Sequence, residues 1–465
     1  MADSKSEPSN HTEDSEPNLI AKPFPGAREG RTRMWISQDR SETPVVLGGL
    51  FGVVIVVGFA AVGVNNLELD EWSGILTLTT LVVVTLPVLS WISRKEDDPT
   101  LMRLLVWGML ATAVGVIVRY FVSKVLYDDV SDAGGYSNAA GELAQLFKQG
   151  VMTSVPPGLE GRPAETQRVA LVLSFVYLVT GASRWAGSVV FAWLAFGGRL
   201  MMWRALRRAV PEADHKRYLL LLLFFPSLLY WPASIGKEAL MNFALGLVSY
   251  GAALLLSDKV KAGSILVFVG GIAGLVVIRP HYGALGVLAL GMASLVGTLR
   301  GFGGGAGWKS TLVRAVAVCV LLAVAVVVLS QTARFFGDKG SEGGVGGVLE
   351  KTLDQTTTGG SSFDPPAVSD PTDLPAAVVT VFFRPFVWEA DNASTAFAAL
   401  ESLALVVMAV VSWRRLAGGV RLMLRRPYLV YVVTFSSGFI VAFSYIGNFG
   451  ILARQRTVML ALMLA

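Results

Sequence analysis

Few residues in this sequence could form a disulfide, bind zinc or bind a nucleotide. The single cysteine, Cys319, lies inside an apolar segment, which excludes an intramolecular disulfide bond. The chain has three histidines, and it contains no Cys/His metal cluster, no H-E-x-x-H sequence and no nucleophile elbow. Its glycine-rich segments lack the strand-to-helix context and the GK[ST] ending of a phosphate-binding loop. The chain is therefore not an ATP-driven pump on its own, and we predict no cofactor, although a divalent cation remains compatible with the sequence.

Charge is also scarce over long stretches of the chain. Only 16% of the 465 residues are charged, whereas 53% are hydrophobic, and the mean hydropathy is +0.57. Apolar runs that recur along most of a chain are typical of polytopic helical membrane proteins. We predict an all-α, polytopic integral membrane protein with roughly 11–12 transmembrane helices of about 20 residues each. The eleven spans that we can place are Pro44–Val64, Trp72–Ile92, Leu101–Tyr127, Arg184–Leu206, Tyr218–Ser234, Leu240–Leu256, Gly263–Ile278, Gly283–Thr298, Thr311–Ser330, Asn392–Ser412 and Pro427–Tyr445.

The first 43 residues have a different composition from the rest. They are rich in Ser, Pro, Glu and Asp, then basic from Lys22 to Arg40. This composition predicts a disordered cytoplasmic tail, and it differs from a signal peptide, which combines a short basic region with an apolar core. Residues 44–465 form the predicted transmembrane domain.

Basic residues predict the orientation of this domain. They cluster in alternate loops, for example around Arg199–Arg217 and Arg414–Arg426, whereas the loop at Glu68–Glu71 is acidic. Because cytoplasmic loops carry the excess of Lys and Arg, we predict a cytoplasmic amino terminus in the plasma membrane. The pI near 9.2 follows from these loops, and we expect no nucleic-acid partner.

Two apolar segments are too short to cross a membrane. Arg168–Thr180 lies in a predicted external loop, residues 128–183, and Pro375–Phe383 lies in a long Gly-rich external loop, residues 331–391. We interpret both as re-entrant or interfacial half-helices on the outer side, which requires protein or a water-filled cavity around them. The nine residues after Arg456 are also too few for a complete span.

With this orientation, unusual polar residues collect at the outer face. Arginine recurs there beside Pro or aromatic residues, where the positive-inside bias disfavours it. Arginine forms bidentate contacts with phosphate, and aromatic faces can carry sugars or prenyl chains. We therefore predict an outer site for a lipid-linked phosphate or diphosphate sugar. The candidate residues are Asp132, Tyr136, Lys237, Glu238, Arg279, His281, Arg384, Glu389, Arg454 and Arg456.

Each candidate also has a simpler structural interpretation. Asp128 and Asp129 could be solvated helix caps, and Lys237–Glu238 an exposed pair at a helix start. Arg279 could extend to the membrane interface, and His281 could be a hydrogen-bonded structural residue. These interpretations explain the residues singly but not their accumulation on one face.

Two groups of residues resemble a known class of membrane enzymes. Asp132 and Tyr136 after an early span resemble the first external loop of GT-C type glycosyltransferases. Phe225-Pro226-Ser227, Trp231, Ser234 and Lys237-Glu238 are similar to a segment of bacterial polysaccharide polymerases of the Wzy and EpsG type, and Arg384–Glu389 and Arg454–Arg456 resemble segments of actinobacterial members. The likeness extends from Leu101 onward, with Pro at position 232 and a Gly-Gly insertion before Tyr136 as departures.

The resemblance implies assembly of a cell-surface polysaccharide from polyprenyl-linked sugars at the outer face. The implied partners are a polyprenyl-phosphate-linked sugar donor, a glycan acceptor and membrane lipids. In a GT-C transferase Asp132 would be the general base, whereas in a polymerase the arginines holding the diphosphate would matter most. A transporter or flippase, with broken helices and a cationic cavity, and a non-catalytic membrane scaffold remain as alternatives.

Overall fold

The computed structural model describes residues 68–96, 98, 100–126, 131–257, 260–299, 353, 356, 361–366, 368 and 370–464. The predicted tail, the predicted spans Pro44–Val64 and Thr311–Ser330, and Asp128 and Asp129 lie outside these residues, as does the first part of the Gly-rich loop, residues 331–352. The described part is helical, with one isolated β-bridge between Ser362 and Asn448. The prediction of an all-α polytopic membrane protein is confirmed.

Fifteen α-helices occur in the described ranges. They are α1 Leu69–Lys95, α2 Leu101–Leu126, α3 Asp132–Lys148, α4 Ala164–Thr180, α5 Arg184–Ala209, α6 His215–Phe224, α7 Pro226–Tyr230, α8 Lys237–Ser257, α9 Ala262–Ile278, α10 Pro280–Leu299, α11 Leu374–Phe383, α12 Ala393–Val411, α13 Trp413–Met423, α14 Pro427–Phe443 and α15 Phe449–Met463. Two 3₁₀ turns, Pro371–Asp373 and Val387–Glu389, flank α11.

Six described helices are long and apolar enough to cross a membrane: α1, α2, α5, α8, α10 and α12. Each coincides with a predicted span. The predicted span Gly263–Ile278 is the 17-residue helix α9. The predicted span Pro427–Tyr445 is α14, which with α13 forms a pair bent by 113°. These helices make the chain a multi-pass membrane protein.

Helices α5 and α8 form the centre of the bundle. Of the 18-residue apolar stretch in each helix, 72% is buried in α5 and 61% in α8, compared with 11% in α1. Helix α1 therefore exposes apolar side chains, as a lipid-facing helix does. Gly198 of α5 and Gly246 of α8 face each other so closely that a Cβ on either would overlap the backbone of the other helix. Small residues at such crossings allow membrane helices to approach closely.

Contacts between helix ends define two ends of the bundle. At the Glu238 end, where α5, α8 and α15 begin, Arg184 donates to Ser123 of α2 over 2.9 Å and Ser183 donates to the Asp70 carbonyl over 2.9 Å. At the Arg207 end, Arg207 forms an ion pair with Glu96 over 2.8 Å. Helices α1 and α5 therefore run from the Glu238 end to the Arg207 end, and α2 runs in the opposite direction.

Helix α4 lies across the Glu238 end instead of running through the bundle. Near its start Arg168 donates to the carbonyl of Val277, at the end of α9, over 2.6 Å. At its other terminus the Thr180 carbonyl accepts from Ser73, near the start of α1, over 2.5 Å. Because both termini of α4 contact helix ends of the same side, the helix lies at that end of the bundle.

Three segments differ from the sequence predictions. Residues 132–136, assigned to an external loop, form the first turn and a half of α3, whose apolar face buries Tyr136 and four alanines. The span predicted at Tyr218–Ser234 is divided into α6 and α7 at Phe225, since Pro226 cannot donate an intrahelical hydrogen bond. The Arg454–Arg456 segment, predicted at the outer face just before the last apolar residues, lies inside α15, most of whose residues are buried.

Candidate functional site

A three-residue ionic cluster joins α15, α8 and α3 at the Glu238 end. Arg454 Nε and Nη2 donate to the two carboxylate oxygens of Glu238 over 2.7 and 3.0 Å. Its Nη1 donates to Asp132 Oδ2 over 3.0 Å. The exposed fractions of the side chains are 28% for Arg454, 4% for Glu238 and 63% for Asp132. Arg454 is therefore anchored on a buried carboxylate and holds an exposed one.

The local sequence explains how these three side chains meet. Glu238 is the second residue of α8, where a carboxylate interacts favourably with the positive end of the helix. Asp132 occupies the corresponding first turn of α3. Asn448 caps α15 by accepting from the backbone N–H of Ile451, which places Arg454 one turn and a half into the helix. Three helix starts thus converge on one guanidinium.

Lys237 and Tyr136 extend the cluster toward α4. Lys237 Nζ donates to Thr166 Oγ1 over 3.2 Å and lies 4.0 Å from Glu165 Oε1. Tyr136, with only 4% of its surface exposed, lies within reach of Thr166 and of the charges of Asp132 and Glu238. Burial, reinforced by these two carboxylates, raises the pKa of Tyr136 to about 12. Its phenol stays protonated near neutral pH, so it is a hydrogen-bond donor and not a base.

Arg279 contributes a second arginine to the same region. It is the capping residue between α9 and α10 and donates from Nη1 to Gln455 Oε1, which also accepts from Tyr282 over 3.4 Å. Arg279 lies close enough to Lys237 and Glu238 for its charge to act on both. In the described part of the chain Arg279 forms no ion pair with a carboxylate.

His281 lies two residues after Arg279 but in an aromatic environment. Its ring centroid is 4.9 Å from that of Tyr282 and 6.3 Å from that of Phe443. Tyr282 in turn packs against Phe439 at 5.9 Å and is fully buried. These contacts form part of the packing between α10 and α14.

Arg384 and Glu389 form a separate pair. Arg384 Nε donates to both carboxylate oxygens of Glu389 over 2.9 and 3.1 Å. The guanidinium also lies over the rings of Phe363 and Phe449, at 4.4 and 5.2 Å from their centroids. The structure does not bring Arg384 into contact with Arg454 or Arg279. Arg384 thus contacts the carboxylate of Glu389 and the rings of Phe363 and Phe449. These contacts join the end of α11 to the start of α15.

Arg456 is buried and held by the protein itself. Its Nη1 donates to the carbonyls of Phe382 and Arg384 over 2.7 and 3.2 Å and to Ser402 over 3.1 Å. Its Nη2 lies 3.5 Å from Glu401, which also accepts from Ser227. No part of this guanidinium is open to a ligand, since the exposed fraction of its side chain is 1%.

Sequence reasoning missed several residues of this end. Glu165, Thr166 and Gln455 contact the predicted residues but occur in helices without a distinguishing motif. Arg119 could have been identified from the sequence, because it lies inside a predicted apolar span. Arginine is rare at such positions and marks a functional or pairing residue. Arg119 donates to Tyr230 Oη over 2.5 Å and lies 5.0 Å from the ring of Trp231.

Two further features concern ligands. Among the described residues no group of three or more His, Cys, Asp or Glu side chains is arranged to hold a metal ion. A cavity of about 400 Å³ lies at the Arg207 end, between Asp98, Arg207 and the segment 211–216. That cavity is at the opposite end from the ionic cluster.

Comparison with known proteins gave no relative for this chain: no family model, no curated protein and no solved structure matches it.

Proposed function

We propose that this membrane protein transfers or polymerises polyprenyl-linked sugars at the outer face of the cytoplasmic membrane, with the Glu238 end facing outward. The observation that carries the proposal is an exposed carboxylate, Asp132, held by Arg454 beside two further cations, Lys237 and Arg279. A carboxylate that can accept a proton and cations that can hold a phosphate are the two groups that sugar transfer from a lipid phosphate requires.

The cations of this end differ in how completely carboxylates already pair with them, and this difference suggests where a phosphate would bind. Glu238 is buried and occupies two nitrogens of Arg454, whereas Asp132 is exposed and occupies one. Arg279 forms no carboxylate pair in the described residues. We therefore assign the donor phosphate to Arg279, with Lys237, which lies 4.0 Å from Glu165, as a second contact, and an incoming phosphate oxygen can also displace Asp132 from Nη1 of Arg454. Displacement would release Asp132 as a base at the moment when the donor is bound.

The reaction then follows from these positions. The acceptor hydroxyl oxygen attacks the anomeric carbon, its proton passes to Asp132, and the bond from that carbon to the phosphate oxygen breaks. The electron pair leaves with the phosphate, whose developing charge Arg279 and Lys237 stabilise. Tyr136, protonated because of its raised pKa, can donate a hydrogen bond to a sugar or phosphate oxygen. The chain's orientation, with a cytoplasmic amino terminus, rests on the basic residues of the Arg207 end.

Arg279→Ala tests the proposal in cells. Arg103→Ala is the matched control, because Arg103 is an exposed arginine near the start of α2, at the Arg207 end. At equal membrane levels we expect Arg279→Ala to reduce surface polysaccharide at least tenfold and Arg103→Ala to leave it unchanged, since a phosphate contact in a desolvated site contributes on the order of 1.5–3 kcal/mol. Normal polysaccharide from Arg279→Ala would contradict sugar transfer at this site and favour a scaffold.

A further inference from the structure

Helix α13 at the Arg207 end has the position of a helix that lies on a membrane surface. It follows the membrane-crossing helix α12 after a single residue, Ser412, and is bent by 113° relative to α14. None of its residues is buried. Since its two neighbours are apolar helices of the bundle, a helix turned so sharply between them lies along the interface and not through the membrane.

The protein fixes one side of α13. Arg415 forms an ion pair with Asp214 over 3.2 Å, and Leu422 packs against the core. Before the helix, Arg217 donates to Ser412 over 2.7 Å, and after it Arg426 pairs with Glu212. These contacts set the rotation of α13 about its own axis.

The rotation leaves two exposed faces with different chemistry. Trp413, Leu416 and Val420, spaced at three and four residues, are 62%, 56% and 62% exposed on one face. Three arginines occupy the neighbouring stripe: Arg414, Arg421 seven residues later, and Arg425 four residues beyond that, just past the last helical turn. All three are exposed, and none of them forms an ion pair with a described carboxylate. At Gly418 no described atom comes within 4 Å of where a Cβ would lie.

We propose that α13 is an interfacial helix that binds anionic phospholipid headgroups through Arg414, Arg421 and Arg425. An exposed apolar face beside a basic stripe is the combination by which interfacial helices bind membranes with anionic lipid. The apolar face enters the acyl region, and the adjacent guanidinium groups meet the lipid phosphates. This lipid site is at the opposite end of the bundle from the proposed sugar-transfer site and does not depend on it.

The test is binding of acyl-labelled phosphatidylglycerol to the purified full-length protein in detergent micelles, followed by fluorescence anisotropy. The triple variant R414Q/R421Q/R425Q should weaken binding on the order of tenfold or more, because each basic residue contributes about 1 kcal/mol to attraction by anionic lipid. The control Arg415→Gln, on the protein-facing side, should change it less than about twofold. Phosphatidylcholine with the same label should bind weakly to all forms. Equal binding of the two lipids, unchanged binding by the triple variant, or competition by millimolar inorganic phosphate would overturn the proposal.

A second measurement leaves the arginines intact. A fluorophore on Val420→Cys, in a background with Cys319→Ser, should be quenched by lipids brominated near the headgroup end of their acyl chains in nanodiscs. Absence of quenching would place the apolar face outside the membrane. A chain dimer that separates on Val420→Asp would assign the face to a second copy, and it would likewise overturn the lipid site.

Discussion

At the scale of single residues, Glu238 is a buried carboxylate that needs a cation beside it. Its carboxylate is 4% exposed and depends on two hydrogen bonds from Arg454. Removing one partner of a buried ion pair leaves a charge without compensation, whereas removing both can be nearly neutral. The pair is therefore expected to behave as a unit.

Arg454→Gln should lower the free energy of unfolding by about 3 kcal/mol, because it leaves the Glu238 carboxylate buried and unpaired. Glu238→Gln combined with Arg454→Gln should recover most of this loss. The measurement is unfolding of the purified protein by a denaturing detergent, with Arg103→Gln as the control for loss of one positive charge. Additive effects of the two substitutions would show that the pair does not act together.

The sequence predicted several residues that meet at the Glu238 end, but it did not predict which of them are held by other protein groups. Asp132, Tyr136, Lys237, Glu238, Arg279 and Arg454 meet at one end because each lies near a helix end, a position that the span boundaries already implied. Arg384 and Arg456 were proposed for the same site because both are arginines at the predicted outer face and both lie in segments that resemble those of polysaccharide polymerases. Their partners, Glu389 for one and the carbonyl of Phe382 for the other, depend on tertiary packing that a sequence does not display.

At the scale of helices, the α5–α8 crossing depends on the absence of side chains at two positions. Gly198 and Gly246 bring the two backbones into contact in the most buried part of the bundle. Leucine-rich helices would pack at a larger separation, so these glycines determine where α8 places Glu238 relative to α5.

Gly198→Ala should destabilise the protein by about 2 kcal/mol, since the added methyl overlaps the backbone of Asn242 and forces the helices apart. Gly270→Ala in α9 is the matched control, because no described atom lies within 4 Å of the position of its Cβ. That control should be neutral or slightly stabilising, as alanine is the better helix former. Thermal unfolding in one detergent compares the two; equal melting temperatures would argue against a tight crossing.

Hydropathy predicted where the long helices lie, but it did not predict where a helix is interrupted. The six long spans are apolar over about 20 residues, which leaves no alternative to a helix in lipid. Helices α3 and α13 were missed because each mixes polar and apolar residues, and in both the glycine pairs resemble a turn. Pro226 could have indicated the break between α6 and α7, but the apolar residues on both sides of it read as one span.

At the scale of the whole molecule, the two ends of the bundle differ in chemistry. The Arg207 end carries ion pairs between helix ends and loops, such as Lys216 of α6 with Asp98 over 3.2 Å, and the exposed basic helix α13. Two Thr100 hydrogen bonds and Lys216 lower the pKa of Asp98 although burial opposes its ionisation, so this contact persists at neutral pH. The Glu238 end instead places the carboxylates of Glu238, Asp132 and Glu165 and three cations around helix starts. The Arg207 end therefore has the features that we propose for lipid binding, and the Glu238 end has those that we propose for ligand binding.

The central claim is that the Glu238 end binds a polyprenyl-linked sugar phosphate. The most direct test uses a photoactivatable polyprenyl-diphosphate sugar with the purified full-length protein in nanodiscs, followed by mapping of the labelled peptides. We expect saturable labelling near the starts of α3, α8, α10 and α15, a loss of at least tenfold with Arg279→Gln, and retention with Asp132→Asn and Arg103→Gln. Labelling at the Arg207 end, or labelling that Arg279→Gln leaves unchanged, would contradict the account.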